Sequence, residues 1–374
     1  MKLAFLQTDT FPLNWGVCAG VERVELEEVA RLTALGNEVT LTVPDILNSD
    51  PLVPKWLKVI SRLHPDNRFL KWKYPLHFAG LNRNADIYHG HYTPYLPLIF
   101  GSKALIHFHG LAISHLPLYR FDWARKRYCS AHYVFCAKHL IEHFKAKYPE
   151  IPVSHIHVLH NGIDVHVFLP RSAPRASGPV RFSFHGRWVK HKGILSLLKA
   201  LSILETYDIE FECHVAGSPA IGLASDEGHR FALGVNQLAR NLRSVRLAGA
   251  IPYHSVPNFL QKVDFGVVPS IYPDPFPLAA LEIMASGLPV VAYDTGGLRE
   301  AIVDGKTGFL VENNRPEKLA EKILFLIKDP EIREKMGKAA RDRVVNTFSW
   351  EGHISGLLNI YDQMSRVDKN NKSN

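Results

Sequence analysis

Cysteine is scarce: four in 374 residues, Cys18, Cys129, Cys136 and Cys213, with no C-x-x-C pair among them. That pattern argues against a disulfide framework and reads as core thiols in a reducing compartment. Uninterrupted apolar runs of membrane-spanning length are missing too, so no transmembrane helix is expected. The first residues, MKLAFLQTDTFPLNWG, carry one early lysine and a short apolar patch. A secretory signal is therefore not expected, and the expected location is the cytoplasm or the inner face of the membrane. No internal repeat or low-complexity tract stands out.

What is present describes a globular chain, 46% apolar and 21% charged, long enough for two domains with separate cores. The formal charge of +8 is unevenly placed. Between Asp50 and Glu150 about fifteen lysines and arginines stand against six acidic residues. In residues 55–75, KWLKVISRLHPDNRFLKWKYP, basic and aromatic side chains alternate. The stretch reads either as a solvated face around helices or as a surface for anionic membrane lipid or an acidic acceptor. Nucleic acid is not expected, because no binding motif accompanies the charge.

The chain is organised around Val263 to Glu300. The apolar run Phe265 to Val268 reads as a buried strand ending at Pro269-Ser270, and a loop with Pro273, Pro275 and Pro277 follows. Leu278 to Ser286 has helix composition, Gly287 fits its stop, and Leu288 to Tyr293 reads as the next strand. In such a βαβ unit, ligands sit beyond the carboxyl ends of the strands, which singles out Asp274, Phe276, Pro277, Leu278 and Glu282.

Lys2 to Gln7, Glu38 to Val43, Asp86 to His91, Ala104 to Gly110 and Ala131 to Cys136 read as further strands, with helices over Val21 to Leu35 and Lys138 to Tyr148. The glycine-bearing loop of Gly16 and Gly20, between a first strand and a helix, is a weak phosphate-side signal. His109 follows an apolar strand and precedes Gly110, with His107 two residues back on the same face as its competitor. His89 and His91 are weaker candidates for acceptor contacts. Their spacing would suit a metal, but the sequence offers no evident third or fourth ligand. A second strand, glycine, basic-loop, helix arrangement lies at Arg181 to Gly193, where Arg187 and Lys192 suit a diphosphate. Phe168 to Gly178 has linker composition, and the terminal VDKNNKSN reads as disordered.

These motifs resemble those of the retaining glycosyltransferases of family 4. That family carries two acidic residues separated by seven in a pattern like E-P-F-G-L-x-x-L-E-A-M-A-x-G-x-P-V-V-A. Here the run is D-P-F-P-L-A-A-L-E-I-M-A-S-G-L-P-V-V-A, with Asp274 in place of Glu and Pro277 in place of Gly. The resemblance extends to Ala19-Gly20-Val21-Glu22, His109-Gly110, the Asn161-Gly162-Ile163-Asp164 turn and the G-R-x-x-x-x-K-G of Gly186 to Gly193. It implies a GT-B fold: two facing Rossmann-like domains with a cleft between them. An acceptor domain would occupy 1–168 and a nucleotide-sugar domain 178–347, with a helix over 348–366 packing back on the first.

The resemblance also implies roles. Asp274 would hold the hydroxyls of the transferred sugar and Glu282 the nucleotide's ribose. Arg187 and Lys192 would grip the diphosphate, Gly20 would lie near the donor phosphate, and His109 would contact the sugar. The expected reaction needs no metal and no cofactor. Its donor is a nucleoside-diphosphate sugar and its acceptor a saccharide or lipid-linked hydroxyl, in polysaccharide or glycolipid synthesis. A nucleotide-sugar epimerase or phosphorylase on the same fold, and a non-catalytic sugar- or nucleotide-binding scaffold, are the alternatives.

Overall fold

A computed structural model of the protein describes residues 1–7, 20–43, 58–61, 84–110, 116–172, 178–218 and 226–372. The chain divides into two compact units, Met1–Asn161 with Glu351–Asn374, and Gly162–Trp350.

The first unit is a seven-stranded parallel sheet of β1 (Lys2–Gln7), β2 (Glu38–Val43), β3 (Lys58–Ser61), β4 (Ile87–His91), β5 (Ala104–Phe108), β6 (His132–Phe135) and β7 (Ile156–Val158). Their order is β3-β2-β1-β4-β5-β6-β7. The order reverses between β1 and β4, the crevice where ligands of doubly wound sheets bind. Side chains alternate across a strand, so Leu3 and Phe5 of β1, Ile87 of β4, Leu105 of β5 and Val134 of β6 share one face. Against that face pack Leu26, Val29 and Leu32 of the helix Gly20–Ala34, and Leu357, Ile360 and Tyr361 of the last helix, Trp350–Lys372.

The second unit is a six-stranded parallel sheet of β8 (Val180–His185), β9 (Phe211–Ala216), β10 (Val245–Gly249), β11 (Phe265–Val268), β12 (Val290–Tyr293) and β13 (Gly308–Val311). Its order is β10-β9-β8-β11-β12-β13, with the reversal between β8 and β11. Burial of helices on both faces explains strands such as Phe265-Gly266-Val267-Val268 and Val290-Val291-Ala292-Tyr293, which are buried at every position. Gly266 is required there, because a Cβ would lie 2.4 Å from Ile283 Cδ1 of the helix Leu278–Ala285.

Two expectations are corrected below. The units themselves part at Asn161/Gly162. Ile163 donates its N–H to the Phe348 carbonyl at 2.9 Å, a Cβ on Gly162 would press on the Trp350 ring, and Arg341 holds the Val165 and Phe168 carbonyls. Residues 162–168 are thereby fastened to the second unit before the linker begins. Within the basic stretch 55–75, Lys58–Ser61 forms a strand paired in parallel with Thr40 to Val43, and the rest lies outside the described residues. The last helix continues to Lys372, through most of the tail that reads as disordered. An established helix extends through polar residues at small cost per residue. Among the described residues, no helix is long and apolar enough to cross a membrane.

Candidate functional site

In the second unit, the residues expected to bind a donor come together at the point where the sheet order reverses. His185 ends β8, and Gly186 and Arg187 follow. A short 3-10 turn, Lys190–Lys192, then leads through Gly193 into the helix Ile194–Leu204. Gly193 takes φ of +76°, and a Cβ there would lie 1.7 Å from the Pro269 carbonyl oxygen. Only glycine lets the loop after β8 press this closely on the loop after β11.

The two loops are tied by the Ile271 N–H, which donates to the His191 carbonyl at 3.0 Å. The Lys192 ammonium donates to the Asp274 carboxylate. Burial lowers the His191 pKa, and the Lys192 and Arg187 charges lower it further against the opposing pull of Asp274. Arg187 is exposed. Two cations and one carboxylate thus surround a single imidazole, an arrangement suited to an anionic ligand.

Below them lies a second pair. Glu282, on the helix Leu278–Ala285, is buried and sits 2.8 Å from His185 Nε2. Pro277 is the N-cap of that helix, with Phe276 buried beside it. Proline at this position removes no bond of the helix ladder, and the first-turn N–H groups of Leu278 and Ala279 have no partner four residues earlier within the helix. Gly296 and Gly297 allow the proline loop to approach closely: the Gly297 N–H donates to the Asp274 carbonyl at 2.8 Å, and a Cβ on Gly297 would lie 1.9 Å from the Pro275 carbonyl oxygen.

In the first unit, Gly20 is the exposed first residue of its helix, and Gly16 lies outside the described residues. His109 is buried, with Nε2 at 2.8 Å from His91 Nδ1 and its ring stacked on that of His91. It belongs to a larger group. Alternation places His89 and His91 of β4 and His107 of β5 on the helix-covered face with Phe5 and Leu105. There they surround the fully buried Glu28, which lies 3.8, 3.2 and 3.3 Å from them, and 2.9 Å from His353 of the last helix. Burial raises the Glu28 pKa, but the imidazoles, His91 first, outweigh it and hold the carboxyl well below its ordinary range. Burial lowers the pKa of His107 to about 4 and that of His89 and His109 well below the usual imidazole value.

Sequence reasoning missed Glu28, His353 and Tyr361. A signal existed: Glu25 and Glu28 fall within the buried stripe of Val24, Val29 and Leu32, where carboxylates are costly unless partnered.

Comparison with known proteins fits both units. The family model for glycosyl transferases group 1 matches residues 168–343, and that for glycosyltransferase family 4 matches residues 19–167. An alpha-maltose-1-phosphate synthase of Mycolicibacterium smegmatis is 30% identical over 235 residues, 58% of this chain and 59% of its own. The chain spans little more than half the length of the curated relatives it matches. Among solved structures, a glycosyltransferase from Rickettsia africae superposes with a TM-score of 0.81 at 23% identity, covering 97% of this chain and 98% of that one. An Anabaena protein solved with UDP and glucose gives 0.70 at 16% identity, covering 99% of each.

Proposed function

The chain belongs to the family 4 glycosyltransferases of GT-B fold, and we propose that it moves a sugar from a nucleoside-diphosphate sugar to an acceptor hydroxyl with retention of configuration. The observation that carries this reading is the meeting of Arg187, Lys192, Asp274 and Glu282 at the switch point of the second sheet. Arg187 and Lys192 take the diphosphate and stabilise the charge that develops as it leaves. Lys192 already rests on Asp274, so a bound diphosphate exchanges one anionic partner for another without exposing a bare cation.

Asp274 then accepts hydrogen bonds from the hydroxyls of the sugar, and Glu282, oriented by His185, accepts from the ribose. Asp274 is one methylene shorter than the Glu usual in the family, which places the sugar closer to the proline loop. The reaction requires no metal at the donor, since the two cations supply the countercharge. The excess of lysine and arginine over residues 50–150 favours an acidic or membrane-bound acceptor, as in polysaccharide or glycolipid synthesis.

The test is thermal unfolding of the wild type and Arg187→Ala with UDP, GDP and ADP in turn. A ligand that binds only the folded protein raises the midpoint by mass action. UDP comes first, because the Anabaena neighbour was solved with it. One nucleotide stabilising the wild type and not the variant supports the site. Equal stabilisation of both proteins would remove Arg187 from it. Nucleoside diphosphate released in step with sugar transfer separates a transferase from an epimerase, which makes no net transfer.

A further inference from the structure

Glu28, His89, His91 and His107 of the first unit carry no role in the reaction proposed above, and their geometry is unusual for a hydrogen-bonded cage. One ligand atom from each of Glu28, His89, His91 and His107 lies within 4.8 Å of the other three, and all four side chains are buried. A carboxylate bonded to imidazole N–H groups draws them to about 2.7–2.9 Å. His353 Nε2 obeys that rule at 2.9 Å from Glu28 Oε1. His91 Nε2 at 3.2 Å and His107 Nδ1 at 3.3 Å stand further off. Four ligands around a zinc ion at about 2.0–2.1 Å are separated from one another by about 3.3 Å.

The hydrogen bonds sort in the same way. His107 Nδ1 meets Glu28 only at the long distance of 3.3 Å, and His89 Nε2 and His107 Nε2 are buried without a partner among the described residues. Buried polar atoms without partners are rare and mark a missing water or ion. The outward atoms are held instead: His91 Nδ1 by His109 Nε2 at 2.8 Å, and His89 Nδ1 by the Tyr361 hydroxyl at 2.7 Å. His353 joins Glu28 to the His160 carbonyl, 2.7 Å from its Nδ1. Orienting bonds behind a set of inward-facing nitrogens are what metal-binding histidines have.

We propose that Glu28, His89, His91 and His107 bind a divalent transition cation of the zinc class, as a closed four-ligand structural site. The ligands come from the first helix and two neighbouring strands, and the supporting His353 and Tyr361 come from the last helix. The ion thereby clasps the chain's last helix to the unit formed by its first 161 residues. Three imidazoles and one carboxylate suit zinc better than magnesium or calcium, which take oxygen ligands. Because the site is sealed, the ion enters during folding, and its binding energy becomes folding energy.

The full chain is unfolded in denaturant with chelator, then refolded with Zn2+ or with chelator, desalted, and measured for metal content and thermal midpoint. The zinc-refolded wild type is expected to hold roughly one ion per chain and to melt several degrees above the chelated sample. Co2+ in place of Zn2+ is expected to give the visible absorption of a tetrahedral nitrogen–oxygen site. His89→Ala/His91→Ala is expected to hold no zinc, while His353→Gln, outside the ligand set, keeps it with about tenfold weaker affinity. Wild type that retains no more zinc than the double variant, or that melts identically with and without zinc, overturns the proposal. If the double variant fails to fold, the wild-type metal content and cobalt spectrum decide alone.

Discussion

Gly193→Ala tests whether the contact between the loops after β8 and β11 builds the donor site. The added Cβ would sit 1.7 Å from the Pro269 carbonyl oxygen and 2.7 Å from its carbon. Ordinary contact needs about 3.4 Å or more, so one loop must retreat by roughly 1.5 Å, and neither atom it meets is a flexible side-chain end. The φ of +76° adds about 1–2 kcal/mol of left-handed strain for alanine. Lys192 is the neighbour of Gly193, and its partner Asp274 rides on the other loop. The same displacement breaks the Ile271-to-His191 hydrogen bond. A misplacement near 1 Å costs on the order of 100-fold in rate, and nucleoside diphosphate affinity is expected to fall by a comparable factor. Calorimetric titration of the nucleotide that stabilises the wild type measures this, with circular dichroism as the check on folding. Gly234→Ala is the control. That glycine lies within the helix Asp226–Arg240 with nothing within 4 Å of the added Cβ, so the variant gains about 0.5–1 kcal/mol in stability. Wild-type nucleotide affinity in folded Gly193→Ala would refute the close-approach reasoning.

Arg341 gives its guanidinium to three backbone carbonyls, Phe168 and Ala285 at 2.6 Å and Val165 at 2.7 Å. Arg341→Met leaves all three without that donor and is expected to cost about 3 kcal/mol or more, read as a lower midpoint in urea unfolding. Wild-type stability would show that the three bonds contribute nothing net. Acid should destabilise the edge of the first unit. Burial, then the neighbouring charges of His155 and His157, lowers the His132 pKa from 6.5 to about 3, and burial lowers that of His157 to about 4. Both are depressed bases, so the unfolded chain binds more protons below its own pKa near 6.5, and stability is full above that value and falls as pH drops toward the folded values. Counting only His132, the loss by about pH 4 is ~3 kcal/mol at 1.36 kcal/mol per unit, and His132→Leu should flatten that part of the profile. An unchanged slope in the variant would place the acid sensitivity elsewhere, in the first instance at the other buried histidines.

Local signals carried most of the fold and the elements that bear the candidate site. β1 is found at Lys2–Gln7 as read, and the strand–loop–helix–strand run from Phe265 to Tyr293 lies within two residues of its expected ends. Such segments are legible because apolar runs, prolines and a stop glycine act within a few residues of themselves. The pairing of Lys192 with Asp274 and of His185 with Glu282 was not legible. It depends on β8 and β11 being neighbours, 80 residues apart in sequence, which periodicity does not report. β3 was hidden for a similar reason: its Lys58-Val59-Ile60-Ser61 is short and lies among basic residues, and it becomes a strand only by pairing with β2. The histidine group is the sharpest case. His89 and His91 were visible as a ligand-like pair that wanted partners, and the partners lie 61 residues before on a helix and 18 after on the next strand. A two-residue alternation on β4 and β5 and a three-to-four-residue spacing on the first helix meet on one buried face. The meeting can be inferred from sequence only once strand order is known, since nothing in either pattern states which strand lies beneath which helix. The glutamate was the available clue: a carboxylate in an apolar stripe demands compensation, and the imidazoles of the strands beneath it supply that compensation.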